Sequence, residues 1–303
     1  MRIATCQFPV SSDIQRNRSF IVGQIHEARE QNCDVVHFPE GALSGYAGID
    51  FSSFDNFNWP LLKDCTNTIL WLAAELNIWV LLGSAHPLTA TNKPHNSVYI
   101  INNIGAIEDR YDKLFCAGDV SGNTGDLAHY SPGDHFSIFS IKGITCSIAI
   151  CHDYRYPELY RELKKKEVEL VFHSFHAGNM NSERQKLMED EVGERYHHLN
   201  PGKTYPEITM PATMISYAAN NYFWISCSNT SAKESCWSSF ILRPDGVIIG
   251  RLEKNEASVL ITEIDTETSY YDSTRFWRER AINSIFHSGE HVSDPRSAER
   301  KVL

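Results

Sequence analysis

Thr145-Cys146-Ser147-Ile148-Ala149-Ile150-Cys151-His152-Asp153-Tyr154-Arg155-Tyr156-Pro157-Glu158-Leu159-Tyr160-Arg161 carries the pattern on which the reading of this chain turns. An apolar run with the character of a buried strand stops at a cysteine, and Pro157 then opens an amphipathic segment. That order predicts a thiol at the carboxyl end of a strand, on the turn into a helix. Ligands and nucleophiles of α/β proteins gather at such ends. Backbone N–H groups on a strand-to-helix turn, here that of His152, can hold a developing oxyanion. Taken alone, Cys151 also reads as an interior cysteine.

Two further stretches bear on the choice. Asp34-Val35-Val36-His37-Phe38-Pro39-Glu40-Gly41 is a short apolar strand running into a carboxylate, with Pro39 and Gly41 marking a tight turn. Gly105-Ala106-Ile107-Glu108-Asp109-Arg110-Tyr111-Asp112-Lys113-Leu114-Phe115-Cys116 is another extended segment, and it ends in a lysine among apolar neighbours. A Glu after a strand or a Lys in a loop is by itself usually solvated. Together the three stretches supply a base, a cation and a thiol, each at or near a strand end.

On these residues the chain resembles the nitrilase superfamily of carbon–nitrogen hydrolases. That family's Glu-Lys-Cys triad matches Phe38-Pro39-Glu40-Gly41, Tyr111-Asp112-Lys113 and Ile150-Cys151-His152-Asp153. The likeness runs from the first strand through Arg243-Pro244-Asp245-Gly246 and the strand after it. It implies an α/β fold in a four-layer α-β-β-α sandwich, with one hydrolase domain over residues 1–265. Residues 266–303 read as a C-terminal extension; its mix of aromatic and charged residues, as in Arg275-Phe276-Trp277-Arg278-Glu279-Arg280, suits either a contact with a neighbouring subunit or a solvated amphipathic end. Association into a homodimer or higher homo-oligomer is likewise implied.

Composition agrees. A chain of 303 residues with 42% hydrophobic side chains can bury a sizeable core. No linker, repeat or low-complexity run divides it. A net charge of −10 argues against nucleic-acid or anionic-membrane partners, which call for a basic face. No apolar run approaches the ~20 residues of a membrane span, and the start reads as a strand rather than a signal peptide. A cytoplasmic location is expected. The eight cysteines include no Cys-x-x-Cys pair, which suits unpaired thiols in a reducing compartment.

The rest of the chain alternates. Strands are expected over 2–7, 34–38, 78–83, 97–102, 106–111, 135–141, 144–150, 168–173, 223–229, 237–242, 247–251 and 258–264. Helices are expected after a Ser12 or Asp13 cap and over 68–77, 157–166 and 208–220. Residues 176–211 read as a long polar segment that shapes the pocket entrance.

The chemistry follows from residue types. Amide hydrolysis gains from a covalent intermediate, and Cys151 is the candidate nucleophile. A thiol is mostly neutral at pH 7, so Glu40 is assigned as the base that takes its proton. Lys113 is assigned as a fixed cation facing the oxyanion. The family often adds a second glutamate before a Ser-Pro-Gly-Asp-like turn. Here Ser131-Pro132-Gly133-Asp134 is present, but Asp126 stands at the upstream position, one methylene shorter, so its reach to Lys113 is in question. A local turn role for Asp126 is the competing reading. Tyr46, His152 and His176 are candidate pocket residues. No cofactor is expected.

An amide or carbamoyl amide is expected rather than a nitrile, because His152-Asp153 follows the cysteine where nitrile-cleaving relatives carry Trp-Glu. Asp153-Tyr154-Arg155-Tyr156-Pro157-Glu158 resembles omega-amidase-like and carbamoyl-amide hydrolases. A nitrilase, or a catalytically silent binding protein on the same fold, are the alternatives. A zinc site from His173, His176, His197 and His198 with Cys151 and Asp153 lacks any strong ligand spacing, so no metal is expected. Trp224, Trp237 and Tyr217 are assigned to the core.

Overall fold

The computed structural model describes every residue except 90, 122, 180 and 303; two of these lie inside the 176–211 segment and the C-terminal extension named above. Twelve strands among the described residues form two six-stranded mixed sheets. The first is ordered β12-β1-β2-β3-β4-β5, from β1 (Arg2–Gln7), β2 (Val35–His37), β3 (Trp79–His86), β4 (His95–Ile101), β5 (Ile107–Asp112) and β12 (Ser258–Glu263). The second is ordered β11-β10-β9-β8-β7-β6. It is built from β6 (Ile138–Ile141), β7 (Ile144–Ile150), β8 (Leu170–Ser174), β9 (Trp224–Ser228), β10 (Phe240–Leu242) and β11 (Ile248–Arg251). Each sheet has a parallel centre, β1-β2-β3 or β7-β8-β9, flanked by antiparallel strands.

Strand alternation builds the layers. Ala4, Cys6, Val36, Val80 and Leu82 face one way, onto α1 (Ile14–Glu30) and α2 (Trp59–Leu76). Their neighbours Ile3, Val35 and Leu81 face the other sheet, where they meet Ile148, Ile150, Leu170, Phe172 and Trp224. The outer residues Ala149, Val171 and Ile225 pack on Leu159 and Leu163 of α3 (Pro157–Lys165) and on Met210 and Met214 of α5 (Tyr205–Asn221). Period-2 alternation therefore sends successive side chains into different apolar layers, and the four-layer α-β-β-α sandwich follows.

Local signals explain most boundaries. Asp13 caps α1, accepting from the N–H groups of Gln15 and Arg16. Thr204 and Glu207 form a capping box at the start of α5. Two expectations need correction. Helix α2 starts at Trp59, not Thr68, because Asn58 caps it and Pro60 sits in its first turn. Within the polar segment 176–211 lie α4 (Ser182–Val192) and a 3₁₀ turn (Glu194–Leu199), and α5 starts at Tyr205 rather than at 208. Helix α4 has no buried residue, so no apolar stripe announced it. No helix among the described residues is long and apolar enough to cross a membrane. Trp224, Trp237 and Tyr217 are buried as expected.

Candidate active site

The site forms where the carboxyl ends of the central parallel strands meet. After β2, the chain turns through Pro39 and Glu40 into Gly41, whose φ of +64° suits glycine. Room for that turn comes from Gly83 of β3, where a Cβ would stand 2.0 Å from the Pro39 carbonyl oxygen. The Glu40 N–H donates to the carbonyl of Phe175, just past β8, at 3.2 Å. Glu40 is thereby fixed between the two sheets and is fully buried.

Lys113 follows β5 and is 1% exposed. Its ammonium lies 2.8 Å from Glu40 Oε1 and 2.7 Å from Asp126 Oδ2. Burial alone would push this amine down. The Glu40 charge, backed by that of Asp126, outweighs that and holds the pKa above its ordinary value. Asp126 sits in a 3₁₀ turn, Gly125–Ala128, and also accepts from the Ala117 N–H at 2.9 Å and from the Tyr46 hydroxyl. Burial works against its charge, but Lys113 and these donors keep its pKa below the ordinary carboxylate value. The shorter side chain reaches the lysine, so Asp126 is not merely a local turn residue.

Cys151 begins a 3₁₀ turn, Cys151–Arg155, that leads into α3 at Pro157. Its φ of +39° lies in the left-handed region, which a non-glycine residue occupies at a cost of about 1–2 kcal/mol. Two buried side chains hold it there. Asp153 accepts from the N–H groups of Ile150 and Phe115, both at 2.9 Å, and from the Tyr111 hydroxyl at 2.8 Å. One carboxyl thus joins β5, the loop after Lys113 and the cysteine turn. Burial pushes its pKa up to about 6. His173 contacts the Cys151 carbonyl through Nε2 at 3.1 Å and the Tyr160 hydroxyl through Nδ1 at 2.6 Å. Because a carbonyl only accepts, Nε2 carries the proton and Nδ1 accepts from Tyr160. Burial lowers the His173 pKa to about 3, so the ring is neutral.

All eight cysteines are free, and only Cys116 and Cys151 are partly exposed. The Cys151 thiol is pushed well above its ordinary pKa, first by burial and then by the Glu40 carboxylate. Glu40 Oε1 is occupied by Lys113 and by Asn96 Nδ2 at 2.6 Å, whereas Oε2 is buried without a hydrogen-bond partner. A neutral thiol therefore faces a carboxylate that has one oxygen in reserve.

Above this cluster opens a cavity of about 500 Å³, lined by Cys151, Tyr46, Asp126, His152, His176, Arg155, Arg184, Met188 and Trp237 among others. Glu40 and Lys113 lie beneath it. Every candidate residue from the sequence thus belongs to one neighbourhood. His152 is lowered in pKa, chiefly by burial. His176 is held by Asp50, 2.9 Å from its Nε2. The zinc reading finds no support in the arrangement: among the described residues no group of three or more His, Cys, Asp or Glu side chains could hold an ion. His173 is spent on Tyr160 and Cys151, and His197 contacts the Glu189 carbonyl. Asn96 and Asp50 were missed by sequence reasoning, and Asp153 was weighed there only as a zinc ligand and as part of a family motif. Asn96 lies just before the strand expected over 97–102 and in the structure belongs to β4.

A layered sandwich with a thiol, a carboxylate and an ammonium at its strand ends defines a recognisable class of hydrolase fold. The family model described as carbon–nitrogen hydrolase matches residues 2–271, and the chain belongs to that family. Bovine omega-amidase NIT2 is 28% identical over 173 residues, 56% of this chain and 61% of that protein. The nitrilase and fragile histidine triad fusion protein NitFhit of Caenorhabditis elegans is 23% identical over 309 residues, 96% of this chain and 63% of that protein. The chain thus spans under two thirds of the length of these relatives. Among solved structures, a glutamate-to-glutamine mutant of the amidase from Nesterenkonia sp. AN1 superposes with a TM-score of 0.67 at 19% identity. The match covers 87% of this chain and 90% of that one, and that crystal contains the acetamide moiety of fluoroacetamide added covalently at the active site cysteine.

Proposed function

We propose that this protein hydrolyses a linear, non-peptide amide or carbamoyl C–N bond through a thioester on Cys151. One observation carries the reading: Glu40 has its Oε1 tied to Lys113 and Asn96 and its buried Oε2 unpartnered, while its charge bears on the Cys151 thiol. In the first half-reaction Glu40 takes the thiol proton as Sγ attacks the carbonyl carbon. The oxyanion is met by the Lys113 ammonium, with the His152 N–H as a second donor. Glu40 then protonates the leaving nitrogen, and ammonia or an amine departs. In the second half Glu40 deprotonates a water that attacks the thioester. The carboxylic acid leaves as Sγ recovers its proton from Glu40. The omega-amidase relative and the covalently modified cysteine of the structural neighbour support an amide as substrate.

The cavity mouth supports a narrower class. Arg155 and Arg184 line it, and neither has an ion-pair partner among the described residues, in a chain with net charge −10. An amide with a carboxylate at its far end would set that carboxylate against these guanidinium groups and its carbonyl against Cys151. Catalysis is assigned to residues 1–265. The extension from 266 exposes Tyr271, Phe276, Trp277 and Phe286, which supports a subunit contact in a cytoplasmic homo-oligomer.

The test follows ammonia release from succinamate, butyramide, butyronitrile and an N-carbamoyl amino acid. Succinamate is expected to exceed butyramide in kcat/KM, and Cys151→Ala is expected to abolish turnover. Turnover of the nitrile alone would make the protein a nitrilase. No turnover, with Cys151 alkylated by iodoacetamide no faster in wild type than in Glu40→Gln, would make it a silent binding protein.

A further inference from the structure

Asp50 and His176 form an ion pair whose side chains are 1% and 0% exposed, directly beside the Lys113 cluster. Burying such a pair costs desolvation that its attraction barely returns, so stability alone is a poor reason for it. Its surroundings suggest another. Asp50 Oδ2 also accepts from the Tyr46 N–H at 2.9 Å, and Oδ1 accepts from Asn179 Nδ2 at 2.6 Å. The His176 ring stacks on the Tyr46 ring, with centroids 5.0 Å apart and planes 13° from parallel. Tyr46 is therefore gripped at its backbone and across its face. Its hydroxyl donates to Asp126 Oδ1, leaving Oδ2 for Lys113. Asp50 raises the His176 pKa above its ordinary value despite burial, and burial keeps the Tyr46 phenol protonated as a donor.

We infer that Asp50, His176 and Tyr46 form a strut that positions Asp126 against Lys113, and so fixes where the ammonium meets the substrate oxyanion. The need for a strut lies in Asp126 itself. A side chain one methylene shorter than glutamate must be held by something else if it is to meet the lysine, and the Tyr46 hydroxyl supplies that hold. These three are positioning residues: only Tyr46 and His176 line the cavity, and their effect passes through Asp126. The inference rests on the hydrolase reading for its rate assay, and a second assay stands apart from it.

The experiment is a double-mutant cycle between His176→Gln and Tyr46→Phe, which keeps the ring and removes the hydroxyl. Each single variant is expected to lower kcat on the best amide about 10- to 100-fold, with KM within about threefold. In the Tyr46→Phe background, His176→Gln should add less than about threefold, because the path it acts through is already cut. Equal losses in both backgrounds, or an unchanged kcat in folded His176→Gln, would overturn the strut. Should His176→Gln fail to fold, Asp50→Asn takes its place in the cycle. If wild type turns over no amide, the hydrolase reading fails alone. The strut is then judged by iodoacetamide alkylation of Cys151, whose thiolate Lys113 favours. Slowing in each single variant without further slowing in the pair sustains it, and additive slowing or none overturns it.

Discussion

Two buried polar clusters lie within this sandwich, and they handle charge in opposite ways. Between the sheets, His37 of β2 contacts Ser226 through Nδ1 at 2.8 Å and Ser174 through Nε2 at 3.0 Å. The Ser174 hydroxyl donates to the Phe38 carbonyl, so it accepts from Nε2–H, and Nδ1 accepts from Ser226. Every partner is neutral, and burial lowers the His37 pKa to about 3. Glu40, just beyond the same strand, is buried together with Lys113 after β5 and Asp126 in its 3₁₀ turn, and there each charge faces its opposite. Burial discharges a group that has only dipoles for company, and a compensating ion keeps it charged. The first cluster aligns two sheets. The second keeps an acid, a cation and a thiol in states suited to moving protons.

Removing the central cation should break the contrast most sharply. Lys113→Ala leaves two buried carboxylates facing each other, so unfolding free energy should fall by about 3–5 kcal/mol. On the proposed mechanism, turnover should fall by about 10²–10³-fold with loss of the proposed oxyanion donor. Denaturant titration and ammonia release measure both. His37→Ala should cost about 2–3 kcal/mol through a cavity and lost hydrogen bonds. Its kcat should stay within about threefold, and a larger rate loss would show that the two clusters are coupled.

Acid should sharpen the contrast further. His37 and His173 have folded pKa values of about 3 against an ordinary 6.5, so below about pH 6.5 the unfolded chain binds more protons. Their stabilising contribution is full above that pH, and falls by about 1.4 kcal/mol per unit for each ring as pH drops towards 3. Asp153, raised to about 6 from 3.8, works the other way between those values. Two rings against one carboxyl leave a net loss of about 1.4 kcal/mol per unit between pH 6 and 4 from these three groups. Urea midpoints across that range test it, and His37→Ala should flatten the slope. The smallest effect is expected at Phe286, which is exposed and touches neither cluster: Phe286→Ser should leave turnover within about twofold.

The features that the sequence revealed and those it concealed differ in range. Cys151, Glu40 and Lys113 could be found because each ends or follows an apolar strand, a pattern written in adjacent residues. The layers were expected from the family resemblance, and the alternation of β1, β2 and β3 shows why they form. Asp50 and His176 stand 126 positions apart, and neither neighbourhood hints at the other. The reach of Asp126 was in question because its side chain is one methylene shorter than the family's glutamate, and only the folded chain shows it meeting Lys113. The start of α2 was legible in Asn58 and Pro60, but a dense aromatic run (Phe54, Phe57, Trp59) obscured it. The left-handed backbone at Cys151 had only a partial local sign: Asp153 reaches the Ile150 N–H three residues back, whereas its contacts to Phe115 and Tyr111, and that of His173 to the Cys151 carbonyl, exist only in the folded chain.

Helix α4 supplies Arg184 and Met188 to the cavity wall yet contributes no side chain to any apolar layer. Arg184 is exposed and Met188 only half-buried, and substitutions at surface positions change folding free energy by only about ±0.5 kcal/mol. Diversifying these two positions would therefore explore new substrate preferences without eroding the scaffold, which makes this helix the place where directed evolution of the protein should begin.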